Sequence, residues 1–423
     1  MVLAISVEQV AEVTGVSPTQ LHAAAALLAQ SRRVAYYAWN GVGQSSTATQ
    51  TDRALSLLYA LTGSYGQAGG NVPGAAASFR DISGWDLVEP VQAAKALELD
   101  VRPLGPPAKG WVTASAVYRA VLEADPYAIK MLLSFGTNLL SSQPEQHLAQ
   151  QALTQLDFHV HADFFLNATA QYADIVLPVS TSWEREALRT GFDVSLAGQR
   201  RVQFRQRVIE PCGETRSDTD IVMGLAQRLG LADKFFGLSA DAAHEWVLAD
   251  TPLSLQQLRD NPSGFDVSGE VALATHQELD TSGGANGFPT PTRRVEVYSE
   301  ALLEHGEKPL PNVEVNRLPM ARGKYPLMLG CAKSLVYCHS QQRNLPSLRR
   351  LLPDPPLDMA AADAAIRDLR DGDWVRILTE SGEALARVKI RLQQLTGTVF
   401  AQHGWWEGGS ADAPYGTEPC CKY

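Results

Sequence analysis

Residues 156–179, LDFHVHADFFLNATAQYADIVLPV, decide the fold class. Leu156–Ala162 reads as a strand that closes on Asp163. Asp174–Val179, Asp-Ile-Val-Leu-Pro-Val, is a second. Upstream, Ile129–Phe135 is a third, ending in Gly136-Thr137-Asn138, and a helical stretch around Glu145–Thr154 separates it from the next. Strands alternating with helices call for parallel pairing, because a parallel neighbour needs a long crossover. The expected fold is therefore α/β with a parallel sheet. Ligands of such sheets sit beyond the carboxyl ends of the strands, where the Gly-Thr-Asn loop and Asp163 fall.

Toward the N-terminus, Ser17-Pro18-Thr19-Gln20 is a capping box with Pro at the first helical position, heading a helix over Pro18–Gln30. Arg33–Trp39 reads as a buried strand that stops at a glycine-rich loop, Asn40-Gly41-Val42-Gly43. A second helix is expected over Ala48–Leu61, with Gly63 where a C-terminal cap belongs. Toward the C-terminus, 261–292 is rich in Gly, Pro, Ser and Thr and reads as an irregular connection. Glu307–Lys324 is a Pro-containing linker, and a domain boundary is placed there: 1–320 as an α/β region, 321–423 as a second domain. In that second domain Tyr325–Leu329 is a strand. Asp373–Thr379 and Glu383–Leu392 flank a hairpin turn at Glu380-Ser381-Gly382. Ala386, Val388 and Ile390 alternate with Arg387, Lys389 and Arg391, the period of a half-buried strand. Thr398–Gln402 adds another strand before His403-Gly404-Trp405-Trp406. This segment reads as a small β-barrel.

At 423 residues the chain is too long for one ordinary domain. Its 45% apolar and 19% charged residues are those of a globular protein. A net charge of −10 disfavours nucleic acid as a partner. No apolar run is long enough to span a bilayer, and Met1–Gln9 lacks the basic start of a signal peptide, so a cytoplasmic location is expected. Five scattered cysteines, Cys212, Cys331, Cys338, Cys420 and Cys421, contain no Cys-x-x-Cys pair. They read as small buried or exposed thiols, and no metal ligand set is read from them.

No P-loop, nicotinamide fingerprint, zinc-protease helix or serine-hydrolase elbow is present. His159 and His161 alternate along a strand and point the same way; as a metal pair they are weaker than as two polar residues near a strand end. What remains is a set of Gly, Thr, Asn and Asp loops at strand ends. These suit a nucleotide, since backbone N–H groups cradle phosphates and an Asp takes ribose hydroxyls.

The order of these loops carries a resemblance. Gly41-Val42-Gly43-Gln44, Leu61-Thr62-Gly63 to Gly69-Gly70-Asn71, and Phe135-Gly136-Thr137-Asn138 come first. Asp163, Thr169-Ala170, Ala173-Asp174-Ile175-Val176-Leu177-Pro178 and Trp183-Glu184 follow. Cys338-His339-Ser340, Arg343, Asp371-Gly372-Asp373-Trp374-Val375 and His403-Gly404-Trp405-Trp406 close the series. The series resembles the molybdopterin oxidoreductase family, which includes dimethyl sulfoxide reductases and formate dehydrogenases. The resemblance implies an α/β region followed by a six-stranded β-barrel that binds the molybdopterin dinucleotide. It implies a bis-molybdopterin guanine dinucleotide cofactor (bis-MGD) carrying Mo or W, and oxygen-atom, hydride or electron transfer at that metal. Gly136, Thr137, Asn138 and Asp163 become contacts to one guanosine end. Thr169 and Asp174 become part of the same wall, with Asp174 equally read as fixing its own loop. Ala332, Lys333, His339, Ser340 and Gln342 line the pterin and phosphate side. Trp405 and Trp406 lie near the second guanine or simply pack the core. Gly43 and Gln44 approach the metal centre.

Two departures from the family qualify this. Complete members begin with a cysteine-rich segment holding a [4Fe–4S] cluster, followed by the residue that ligates the metal, and neither is found here. Gly408–Tyr423 does not resemble the usual ending. The expectation is a C-terminal portion, incomplete at both ends and inactive by itself. Its partner is expected to be an electron-transfer subunit, or an N-terminal iron–sulfur or catalytic chain. The rival reading is a truncated relic, or a fragment of a non-redox hydratase-like relative.

Overall fold

The computed structural model describes residues 5–31, 33–44, 47–72, 78–143, 145–190, 195–267, 273–311, 323–380 and 382–406. Several expectations touch residues outside these: the opening Met1–Gln9, part of the connection 261–292, the body of the linker, Ser381 of the hairpin turn, and the tail with Cys420 and Cys421. The chain divides into two compact units, each discontinuous in sequence. One comprises Met1–Arg80, Leu188–Arg205 and Glu245–Leu318; the other comprises Asp81–Ala187, Gln206–His244 and Pro319–Tyr423.

In the second unit β1 (Met131–Phe135), β2 (Phe158–Asp163) and β3 (Ile175–Pro178) form a three-stranded sheet in that order. Both pairings are parallel, as the alternation with helices requires. The crossover helix is Gln146–Gln155. It packs with the helix Ala114–Glu123 through Tyr118, Val121, Ala149, Ala152 and Leu153, all buried, with Leu140 and Ala168 in the same cluster. Helix amphipathicity therefore closes one core, and the strand ends are left to loops.

A second sheet, belonging to the first unit apart from its leading residue, has the order β4 (Ala187–Thr190), β5 (Arg201–Arg205), β6 (Phe265–Asp266). Val202, Phe204, Leu248, Leu255 and Leu258 are its core. The helices at Pro18–Gln30 and Ala48–Leu61 fall on the expected residues, and Ser17 and Gln20 make the reciprocal capping bonds. The segment 33–39 is not a strand. Its backbone groups are satisfied by side chains instead: Val34 N donates to Ser64 Oγ at 3.0 Å, and Tyr36 exchanges bonds with the Asn71 amide at 2.6 and 2.7 Å. The glycine-rich loop is likewise corrected: Asn40–Gly43 is a single helical turn.

The third sheet has the order β7-β11-β8-β10-β9, where β7 is Met328–Cys331, β8 Pro356–Ala360, β9 Trp374–Leu378, β10 Glu383–Arg391 and β11 Thr398–Ala401. β9 and β10 form the expected antiparallel hairpin, and β10 alternates exposed and buried residues as its sequence predicts. The inward residues Ala384, Ala386, Leu357, Met359, Val399 and Ala401 make one core. Among the described residues this is a curled, open five-stranded sheet, not a closed six-stranded barrel. Its middle strand β8 is not marked by the sequence, because Pro355-Pro356 at its start reads as a connection. A leading Pro is harmless there, since a strand tolerates it at its first residue.

Candidate functional site

The carboxyl ends of β1 and β2 carry a buried polar network. Gly136 leaves β1 with φ +56°, a left-handed turn, and its amide donates to Ala162 O at 2.8 Å. No atom lies within 4 Å of where a Cβ would stand, so the turn faces open space. The next helical turn, Ala168–Tyr172, is capped by Asn167, whose Oδ1 accepts from Thr169 N at 3.0 Å and Ala170 N at 3.2 Å. Because Oδ1 faces two donors, Nδ2 must point the other way. It donates to Asp163 Oδ2 at 2.9 Å and to His161 Nε2 at 3.2 Å. The other Asp163 oxygen accepts from Phe164 N at 2.6 Å.

Thr169 is fully buried and its hydroxyl donates to Asn138 Oδ1 at 3.1 Å. That fixes the Asn138 amide the right way round. Its Nδ2 is buried and finds no acceptor among the described residues. An unpaired buried donor costs about 1–3 kcal/mol. Beneath it, Ser134 Oγ lies 2.8 Å from His159 Nε2 and 2.7 Å from His161 Nδ1, all three side chains buried. Burial holds the His159 imidazole below its ordinary value, the neighbouring His161 acting in the same direction. Among the described residues no group of three metal-capable side chains exists, and the two imidazoles serve hydrogen bonds.

Asp174 lies at the amino end of the strands, opposite to Asp163. It precedes β3, and its carboxylate accepts from the backbone N of His159 at 2.7 Å. The reading in which it fixes local structure is the one its bond describes.

In the five-stranded sheet a second cluster joins the segment 331–343 to 402–406. Its centre is Arg343, buried to 1% exposure. Nε donates to Gly404 O at 2.6 Å, and Nη2 to His339 O at 2.7 Å and His403 O at 2.9 Å. The guanidinium lies 4.6 Å from the ring centres of both Tyr337 and Trp405. Trp406 Nε1 donates to Ser340 O at 2.6 Å. Gly404, at φ +66°, brings its α-carbon so close that a Cβ would meet Ser340 N at 3.0 Å. His339 and Gln342 both hold positive φ. His403 bridges Cys331 Sγ (2.9 Å from Nδ1) and His339 Nδ1 (2.8 Å from Nε2). Burial lowers its basicity, with His339, Arg343 and Lys333 adding to the effect. Ala332 N donates to Ala401 O at 2.9 Å, and Lys333 is exposed. Both Trp405 and Trp406 are buried, so the packing role assigned to them is present. Gly43 and Gln44 lie in the other unit, at the end of the single helical turn.

The structure thus brings together Gly136, Thr137, Asn138, Asp163 and Thr169, and separately Ala332, His339, Ser340, Trp405 and Trp406. Asn167, Ser134 and His403 were not among the expected site residues. Asn167 had a signal, an Asn ahead of the helix-forming Ala-Thr-Ala; the other two acquire roles only through packing.

Fold and site define an α/β protein with a buried polar network at the carboxyl ends of parallel strands. The comparisons make this specific. Residues 20–228 match the family model "Molybdopterin oxidoreductase", and residues 327–421 match "Molydopterin dinucleotide binding domain". The chain belongs to the molybdopterin oxidoreductase family. It is 30% identical to a Halobacterium salinarum protein named as the catalytic chain of a dimethyl sulfoxide reductase, over 94% of this chain and 46% of that one. It is 26% identical to dimethyl sulfoxide reductase DmsA of Haemophilus influenzae, over 88% and 49% respectively. The solved acetylene hydratase from Pelobacter acetylenicus superposes with a TM-score of 0.81 at 22% identity, covering 96% of this chain and 59% of that one. The chain spans about half the length of the curated relatives it matches. The second match runs to residue 421, so the segment after Gly408 lies inside it, contrary to the expectation of an unrelated ending. No helix among the described residues is long and apolar enough to cross a membrane.

Proposed function

We propose that this chain holds a molybdopterin guanine dinucleotide as the cofactor-binding part of a molybdenum or tungsten oxidoreductase with a bis-MGD centre. The guanosine end of one dinucleotide is assigned to Gly136, Thr137, Asn138 and Asp163. The pterin and phosphate side is assigned to the loop carrying Ala332, Lys333, His339, Ser340 and Gln342, in a domain beginning near residue 321. The observation that carries the reading is the buried, acceptor-less amide of Asn138 and the Asp163 carboxylate, each bonded to a residue of the Asn167-capped turn at the strand ends where α/β sheets bind nucleotides. The residues fit the group: an open left-handed turn at Gly136, the Asn138 donor and an exposed Lys333 ammonium suit phosphate oxygens, and the Asp163 carboxylate suits hydroxyl or N–H donors of the nucleoside. When bound, the cofactor supplies oxygen-atom, hydride or electron transfer; the protein holds and orients it. The relatives include proteins named as subunits, which supports an electron-transfer or iron–sulfur partner chain. Acetylene hydratase from Syntrophotalea acetylenica, 28% identical over 70% of this chain, keeps a hydration reaction as the second reading.

The test is to purify the chain from cells supplied with molybdate or tungstate, then measure metal and the GMP released on acid hydrolysis. Metal and GMP are expected together. In the Asp163→Ala variant GMP should fall, by the loss of a charge-assisted hydrogen bond of about 1.5–3 kcal/mol. Equal GMP from Asp163→Ala and the unchanged chain removes Asp163 from the site.

A further inference from the structure

Asn167 anchors a chain of bonds whose shortest contacts give each proton a place, with Thr137 O at 3.5 Å from Asn167 Nδ2 and Val160 O at 3.4 Å from Ser134 Oγ as longer alternatives. Its Oδ1 is committed to two backbone amides, so Nδ2 donates to His161 Nε2. His161 must then be neutral with its proton on Nδ1, which donates to Ser134 Oγ at 2.7 Å. The Ser134 hydroxyl, having accepted there, donates to His159 Nε2 at 2.8 Å. His159 in turn carries its proton on Nδ1, facing Tyr172 O at 3.3 Å. The alternative sense puts a donor against a donor at Asn167. At its outer end the same amide donates to Asp163, and the helical turn it caps carries Thr169, whose hydroxyl fixes Asn138.

We infer that the buried chain Tyr172–His159–Ser134–His161–Asn167 is a positioning relay. It presents Asp163 as an acceptor and the Asn138 amide as a donor to one ligand. The inference rests on the nucleotide reading above and adds to it the residues that set its geometry. None of the relay residues touches the ligand; they act through Asn167. The physical reason for building it from neutral groups is directionality. A single proton order keeps the Asn167 amide donating to Asp163 Oδ2, while Oδ1 accepts from Phe164 N. His161 with its proton on Nε2 would break the order at Asn167 and release Asp163 and the cap together.

The test exploits two side chains that each imitate one imidazole nitrogen. Asn in place of His161 supplies a polar group near the Nδ1 position only; Gln supplies one near Nε2. GDP is the probe, titrated into the full chain by calorimetry, with thermal melting of each variant alongside. His161→Asn is expected to weaken GDP about tenfold, and His161→Gln to stay within about threefold of the unchanged chain. Thr169→Val against Thr169→Ser repeats the comparison at the other arm, with Ser retaining affinity, and serves if the His161 variants do not fold. Equal losses within both pairs, or losses that merely follow the melting temperatures, overturn the relay. A second readout needs no ligand: long-range proton–nitrogen spectra of histidine-labelled protein should show His161 as the Nδ1–H tautomer, and the Nε2–H tautomer overturns the relay whatever GDP does. If the unchanged chain does not bind GDP, the nucleotide reading falls instead, and the tautomer alone decides the relay.

Discussion

The two polar clusters solve the same problem with opposite chemistry. At the ends of β1 and β2 the network is directional: Ser, His and Asn pass hydrogen bonds in one order, and the Asn138 amide donor is left without an acceptor among the described residues. In the five-stranded sheet a single buried cation, Arg343, gathers three carbonyls and two aromatic faces and leaves nothing of itself over. A cation is indifferent to proton order but demands acceptors from every side. The first cluster therefore presents groups outward, and the second shapes a loop. That difference identifies where to look for ligand effects and where for stability effects.

The largest expected effect is at Arg343. Arg343→Met strips donors from three carbonyls, a loss on the order of 3 kcal/mol or more. Hydrogen exchange over 327–343 and 402–406 should rise sharply, while exchange over 131–142 stays unchanged. Arg343→Lys keeps the charge but not the fork, and should recover less than half of that loss. If Lys restores protection fully, the cluster works by charge alone and the contrast drawn above fails.

Next is Asn167→Ala, which removes a helix cap worth about 1 kcal/mol and leaves Asp163 with only its bond from Phe164 N. A modest fall in melting temperature with a disproportionate loss of GDP binding is expected. A melting change without a GDP change would make Asn167 a cap and nothing more.

A smaller effect concerns pH. Burial depresses the imidazole pKa of both His159 and His403. For a depressed histidine the unfolded chain takes up the proton first. Stability is therefore full above the unfolded value, near pH 6.5, and declines as pH falls below it. His159→Gln should flatten that decline more than His403→Gln, since His159 is fully buried and His403 only in part. Melting curves between pH 5 and pH 7.5, a range bracketing about 6.5, decide it; the reverse ranking would mean that His403 is the more constrained imidazole.

The smallest effect is a control on the strand pattern. Leu385 points outward on β10 between buried Ala384 and Ala386. Leu385→Lys should change stability by less than about 0.5 kcal/mol, whereas Ala386→Lys should unfold the sheet. Similar losses from both in denaturant melts would contradict the assigned faces.

Local pattern and chain order by themselves determined much of this protein. The capping box at Ser17–Gln20, the helices at Pro18–Gln30 and Ala48–Leu61, the alternation along β10 and the parallel strands of β1 to β3 are all legible. They depend on residues near each other in sequence, or on crossover length. The Gly-Thr-Asn and Asp positions at strand ends follow from the same logic. What tertiary structure decided was pairing. Arg33–Trp39 has the composition of a strand, yet a strand exists only with a neighbour, and here Ser64 and Asn71 take its backbone bonds instead. β8 looks like a proline-led connection, yet two flanking strands make it the centre of its sheet. Asp174 belongs to a family motif, yet the direction of β3 puts it at the amino ends of the strands, away from Asp163. Arg343 is one arginine among many until Tyr337, Trp405 and three carbonyls enclose it. Periodicity records which way a side chain faces; only the folded chain specifies what it meets.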